Sequence, residues 1–174
     1  FTVGPLMFFS AVPPVEVKGF EGIVIRREGY EGVFSLGGPI EERGRLNYID
    51  GCTDSLLIHP PRCGDPCLNH LSFPLGLRQT MHTHPSVRLG LVVRGRGVAV
   101  TPDYDLELKP GVPWVLPPGS EHCFFTDDVG MDIIAWHPDS DSGPRDEDHP
   151  MLNRTFVEGV SVSERSDLWT GADG

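Results

Sequence analysis

The sequence predicts an all-β fold, an antiparallel sandwich or barrel of short strands. Three observations carry this. The apolar runs are short, about four to eight residues, and each is bounded by Gly, Pro, Asn or Asp. Breakers are dense, 21 glycines and 17 prolines in 174 residues, and they are spread along the chain rather than gathered in a linker. No stretch holds the amphipathic period of a helix over about ten or more residues.

The elements follow in order. PLMFFSAVPPV at 5–15 is apolar, lacks a basic leader and is broken by Pro13 and Pro14, so it is expected to be a packed arm rather than a signal peptide. The first residue is Phe1, the start expected of a processed or trimmed chain. Strand candidates are 23–26 (IVIR), 31–36 (EGVFSL), 45–49 (RLNYI), 54–59 (DSLLIH), 67–73 (CLNHLSF), 77–84, 87–94, 97–101, 104–108, 112–116, 121–126 and 131–137. Arg94-Gly95-Arg96-Gly97 and Pro117-Pro118-Gly119-Ser120 read as tight reversals. Beyond His137 the character changes: DSDSGPRDED at 139–148 carries five acids against one arginine and reads as a solvated loop. Residues 155–162 are expected to return as an edge strand on the body or on a partner subunit, and the last dozen residues to fray. With no repeat and no sharp boundary, 1–174 reads as a single domain: an N-terminal arm with outer strands (1–44), a core (45–137), and an acidic loop with C-terminal tail (138–174).

Composition excludes several classes of partner. The formal charge is −11, from 25 acidic and 14 basic residues, so a phosphate backbone is repelled and nucleic acid is not an expected partner. No apolar run approaches the roughly 20 residues that cross a bilayer, and a cytoplasmic location is the default. Cys52, Cys63, Cys67 and Cys123 form no Cys-x-x-Cys pair. Cys63 and Cys67 have the look of half a zinc site, but no second pair at zinc spacing follows. Asn153-Arg154-Thr155 matches the glycosylation triplet, read as coincidence without a secretion signal.

The chemistry concentrates in QTMHTHPSVRLGLVVRGRG at 79–97. On a strand, His82 and His84 face the same side about 6.5–7 Å apart, a workable separation for two imidazoles converging on one ion. A further ligand must come from another strand, and His122, which follows a turn and opens the run HCFF, is the candidate. The alternative is three polar residues at strand ends or on a solvent face.

The spacing resembles the two motifs of the cupin superfamily. The first runs Gly76, five residues, His82-x-His84, three residues, Arg88, six residues, Gly95. The second runs Gly111, five residues, Pro117-x-Gly119, two residues, His122, three residues, Thr126, after a spacer at 96–110. The resemblance covers 76–126 strictly and 45–137 loosely. It departs at Arg88, where the family usually carries Glu, and at Thr126, where it usually carries Asn. The resemblance implies a cupin-type jelly-roll β-barrel with His82, His84 and His122 gathered around one ion inside it.

A guanidinium offers no lone pair, so Arg88 cannot replace the usual glutamate as a ligand, and a three-histidine site is expected. Neutral ligands leave the ion its full charge, which favours an anion between it and Arg88. A substrate carboxylate clamped by Arg88, with Arg78 as a second clamp of the same parity, would satisfy both cations. Alternatively Arg88 points outward or pairs with Glu121. Val92, Trp114, Leu116, Phe124 and Trp136 are expected to line a mostly apolar pocket. Tyr48, His59, His70 and Tyr104 are the polar groups able to enter it, and Tyr104 and His70 join Arg88 and Arg78 as candidate catalytic groups. Cys123, of opposite parity to His122, reads as a buried outer-face thiol.

Nitrogen ligands suit a divalent transition metal, Fe, Zn, Ni, Mn, Co or Cu, without choosing among them, and the preference for Fe(II) is what the resemblance implies. The resemblance implies first a non-haem Fe(II) dioxygenase acting on a small anionic or chelating substrate. The alternatives are a metal-dependent isomerase or lyase of a small carboxylated or sugar-like substrate, with His59, His70 or Tyr104 as acid or base, and a non-catalytic small-molecule-binding cupin. The apolar arm at 3–15 and the strand at 155–162 are expected to serve a homodimer.

Overall fold

A computed structural model describes residues 1–19 and 21–168. The N-terminal arm holds β1 (Thr2–Val3), β2 (Phe8–Ser10), β3 (Lys18–Gly19) and β4 (Ser35–Gly37), with β1 parallel to β3 and β2 antiparallel to β4. The body contains β5 (Leu46–Asn47), β6 (Thr53–Ile58), β7 (Cys67–Phe73), β8 (Arg88–Gly95), β9 (Gly97–Val100), β10 (Asp105–Leu108), β11 (Pro113–Leu116), β12 (Cys123–Phe125) and β13 (Met131–His137). These form a six-stranded sheet in the order β11-β8-β13-β7-β6-β5 and a three-stranded sheet in the order β10-β9-β12, all antiparallel. A one-turn helix, α1 (Pro150–Asn153), and the hairpin β14 (Phe156–Val157) with β15 (Val160–Ser161) follow.

The two body sheets pack on each other through one core. Phe73, Val92 and Ile133 of the larger sheet meet Ala99, Leu108 and Phe124 of the smaller, and the Phe73 and Phe124 rings lie 5.0 Å apart between centroids. Each large side chain buried this way contributes about 1.5–3 kcal/mol over leaving it in water. No sheet among the described residues closes on itself, so the architecture is a pair of packed sheets rather than the closed barrel expected. The edge strands explain this: β5 has two residues and β12 three, too few ladder bonds to stitch the sheets together.

Four expected strands do not form as such. IVIR at 23–26 has no strand partner, and Val24 is exposed, because β-branched residues make a strand only where an edge is offered to them. Of 31–36, only Ser35 and Leu36 enter β4. Segment 77–84 meets β12 only through isolated bridges, Arg78 opposite Phe125 and His82 opposite His122. The expected strand at 155–162 is instead the β14–β15 hairpin, which pairs with itself. Of the dozen terminal residues, 169–174 lie outside those described.

The arm covers the outer face of the six-stranded sheet. His70 is fully buried there, and its Nε2 lies 3.0 Å from Asp132 Oδ1. Arg94 Nε donates to the other Asp132 oxygen at 2.7 Å and its Nη2 donates to the Glu41 carbonyl of the arm. Burial pushes the Asp132 carboxyl up, but hydrogen bonds from His70, Ser72 and Arg94 together hold it below the usual aspartate range.

Candidate metal centre

His82 and His122 face each other across the seam between 77–84 and β12. Their backbones exchange both hydrogen bonds, His82 N to His122 O at 2.9 Å and His122 N to His82 O at 3.0 Å. Each ring is oriented in the same way, by an Nδ1–H donated to the carbonyl two residues earlier: Thr80 O for His82 at 2.8 Å and Ser120 O for His122 at 2.9 Å. That fixes the tautomer and frees both Nε2 lone pairs. His84 completes the group, its ring centroid 5.1 Å from those of His82 and His122. One ligand atom from each of the three histidines falls within 4.8 Å of the others.

This donor set fits a divalent transition metal. His122 Nε2 is buried with no hydrogen-bond partner among the described residues, an orphan that a metal would satisfy. Burial, then the charges of Arg88, His122, His82 and His137, lowers the His84 pKa to about 4. Burial also lowers His122. Both rings are therefore neutral at neutral pH, the form that ligates.

The seam places the ligands through a change of parity. Between the two bridges the first segment spans 78 to 82 while the facing segment spans only 122 to 125, so one residue is extra and the first segment bulges. Arg78 is thereby turned outward, where it pairs with Asp127 at 2.6 Å and lies over the Phe125 ring. Gln79 is turned inward instead. Its backbone N donates to Phe124 O at 3.2 Å, and its Oε1 accepts from Phe124 N at 3.2 Å, standing in for the missing ladder bond. Thr126 does the same one step on, its Oγ1 accepting from Leu77 N at 3.0 Å.

The three histidines open on a cavity of about 130 Å³ between the sheets. Of the residues expected in its wall, Trp114, Leu116 and Phe124 line it, as do Arg88 and Tyr48. Val92 sits in the buried core and is not a lining residue. Trp136 is on the opposite face of β13, because Ile133, Ala135 and His137 are the residues that turn inward. His70 is on the arm side of β7, Tyr104 is exposed in the β9–β10 turn, and His59 is exposed. Cys123 is buried and stays off the cavity wall, as its parity implies.

Asp54, Asn69, Gln79 and His137 are lining residues that sequence reasoning missed. A signal for His137 exists: Ala135 pairs with Gly90, and two small residues opposed on neighbouring strands mark the face that must leave room. Arg88 is largely buried, with side-chain exposure of 11%. Its Nη1 donates to Ser86 O at 3.1 Å and Val87 O at 3.2 Å, and it approaches the Asp139 carboxylate only to 3.9 Å. Its Nε and the Trp114 Nε1 are buried donors that meet no acceptor among the described residues. Burial, then Arg88, lowers the His137 pKa to about 4.

Solved structures are similar to parts of this chain. A cupin-like protein from Thermotoga maritima matches with a TM-score of 0.51 and 22% identity over 60% of this chain and 84% of its own. The polyketide cyclase RemF from Streptomyces resistomycificus is similar over 71% of this chain and 84% of its own, with 21% identity and a TM-score of 0.49. The DMSP lyase DddQ from Ruegeria pomeroyi is similar over 50% of this chain, at 19% identity and a TM-score of 0.46, and the match spans only 46% of the lyase. No protein-family model matches the chain, and no curated protein matches it. The chain thus has a cupin-type fold that brings three histidines together where they can hold a metal ion.

Proposed function

We propose that the protein is a metal-dependent cupin enzyme of the lyase or isomerase class, acting on a small anionic substrate that chelates the metal. The observation that carries this reading is one apolar chamber holding three imidazoles, an incompletely paired guanidinium and two proton-carrying groups, Tyr48 and Asp54. A metal bound by His82, His84 and His122 supplies Lewis acidity to a chelated oxygen. Arg88 holds the substrate carboxylate, since its Nε–H is buried and lacks an acceptor. Trp114 Nε1–H donates to a second substrate oxygen. Leu71, Phe73 and Phe124 keep water from the bound molecule. Acid and base work falls to cavity residues rather than to His70, Tyr104 or His59, none of which lines the chamber. The dioxygenase reading uses the same ligands but gives those proton carriers no task.

Turnover of a panel of small carboxylates by the metal-loaded protein, in air and under strict anaerobiosis, tests this. Equal turnover in both is expected, with loss after treatment with a chelator. Turnover that stops without dioxygen overturns the reading in favour of an oxygenase. Arg88→Gln is expected to weaken carboxylate binding at least tenfold at unchanged metal content, and unchanged affinity would remove the clamp.

A further inference from the structure

Asp54 stands on β6 with its side chain on the cavity wall. Asn69, on the neighbouring strand β7, donates from Nδ2 to both of its oxygens, at 2.9 Å each. The Asn69 carbonyl faces the Cys67 thiol, with Sγ 3.4 Å from Oδ1, which fixes the direction in which the amide presents its donors. No arginine or lysine among the described residues pairs with Asp54. It is a partly buried carboxylate, oriented by a neutral amide and uncompensated by a cation, in the chamber onto which the three histidines open. Burial raises its pKa, against the lowering effect of the Asn69 hydrogen bond. An oriented carboxylate of raised basicity that lines the same cavity as three potential metal ligands has the properties of a general base.

We propose that Asp54 is the proton-transfer residue of this site and that its substrates are small 2-oxo acids, an inference that rests on the metal-dependent reading above. A 2-oxo acid matches the chamber group by group. Its carboxylate answers Arg88, its adjacent keto and carboxylate oxygens suit a divalent ion, and the hydrogens on the carbon next to the keto group are acidic. A cavity of about 130 Å³ has room for an acid of a few carbons. In the step, a C–H bond beside the keto group breaks, the proton forms an O–H bond on Asp54, the C–H bonding pair becomes a C=C bond and the C=O π pair moves onto the keto oxygen to give an enolate. Once the Asp54 carboxyl has swapped its proton for a solvent deuteron, delivery of that deuteron to the same carbon completes exchange. Departure of a substituent from the next carbon with its bonding pair is elimination. No oxidant or reductant enters.

Pyruvate and 2-oxobutyrate serve as probes with the Zn(II)-loaded protein in deuterated buffer, with loss of the C3 proton signal followed by NMR and binding followed by calorimetry. The wild-type protein is expected to accelerate exchange over Zn(II) in buffer. Asp54→Asn is expected to slow that exchange at least 100-fold, within the usual range for removal of a general base, while pyruvate affinity stays within threefold. Asp54→Glu, which keeps the carboxylate, is expected to retain at least a tenth of the wild-type rate. Zinc content and thermal unfolding report whether each variant is folded, and Asp54→Glu carries the test should Asp54→Asn not fold. Exchange by Asp54→Asn at the wild-type rate, or no acceleration by wild-type protein that binds pyruvate, overturns the role of Asp54 and leaves the metal-dependent reading standing. Failure of the wild-type protein to bind either probe overturns the 2-oxo acid assignment, while the broader anionic-substrate reading stands or falls on the carboxylate panel above.

Discussion

At the level of single residues, the candidate centre contains one orphaned ligand atom. His122 Nε2 is buried and unpartnered, and its Nδ1 is already committed to Ser120 O. His122→Ala is therefore expected to lower the affinity for Zn(II) at least 100-fold, read by calorimetric titration, since two imidazoles remain from three. On the outer face the same logic has the opposite sign. Asp132 neutralises Arg94 and accepts from the buried His70, so Asp132→Ala strands both donors and is expected to cost about 3 kcal/mol in urea unfolding. Spacing nominated His82, His84 and His122, and its likeness to the cupin motifs grouped them, although 77–84 bulges and does not keep a strand's two-residue period. It could not reach Asp54 or Asn69, whose place in the chamber depends on a six-stranded order that brings β6 and β7 beside β13 and so is a property of non-local pairing.

Among the elements, the seam between 77–84 and β12 is where side chains replace backbone. Gln79→Leu removes the acceptor of the Phe124 N–H, a buried donor. The expected cost is about 1–3 kcal/mol, together with weaker Zn(II) binding, because the same seam sets His82 against His122; unfolding midpoints and a metal titration read the two effects. This seam also shows why alternation failed for Arg78. Parity carried from His82 back to Arg78 is correct only in an unbroken strand, and one extra residue reverses it. The strands β7, β8 and β13 were legible because each is long and bounded by turn residues. IVIR was misleading because propensity alone says nothing about whether a partner edge exists.

For the molecule as a whole, charge and protonation couple the cavity to stability. His84 and His137 titrate near pH 4 in the folded protein, below the ordinary histidine value of 6.5. Between those values the unfolded chain binds more protons, so stability rises with pH across the window and is lost as pH falls from about 6.5 towards 4. Thermal midpoints of the metal-free protein are expected to drop over that interval, and His137→Gln is expected to make the drop shallower. Bound metal opposes the loss, adding about 2.7 kcal/mol at a free concentration 100 times its dissociation constant. The overall class, all-β with short antiparallel strands, was readable from breaker spacing, whereas closure was not, since it depends on how many ladder bonds the edge strands can offer. A last consequence comes from the carbonyls of Thr80 and Ser120, each aiming the imidazole two positions downstream. The aim of those two rings is encoded within two tripeptides rather than by distant supports, so substitutions in the opposite wall leave that aim unchanged.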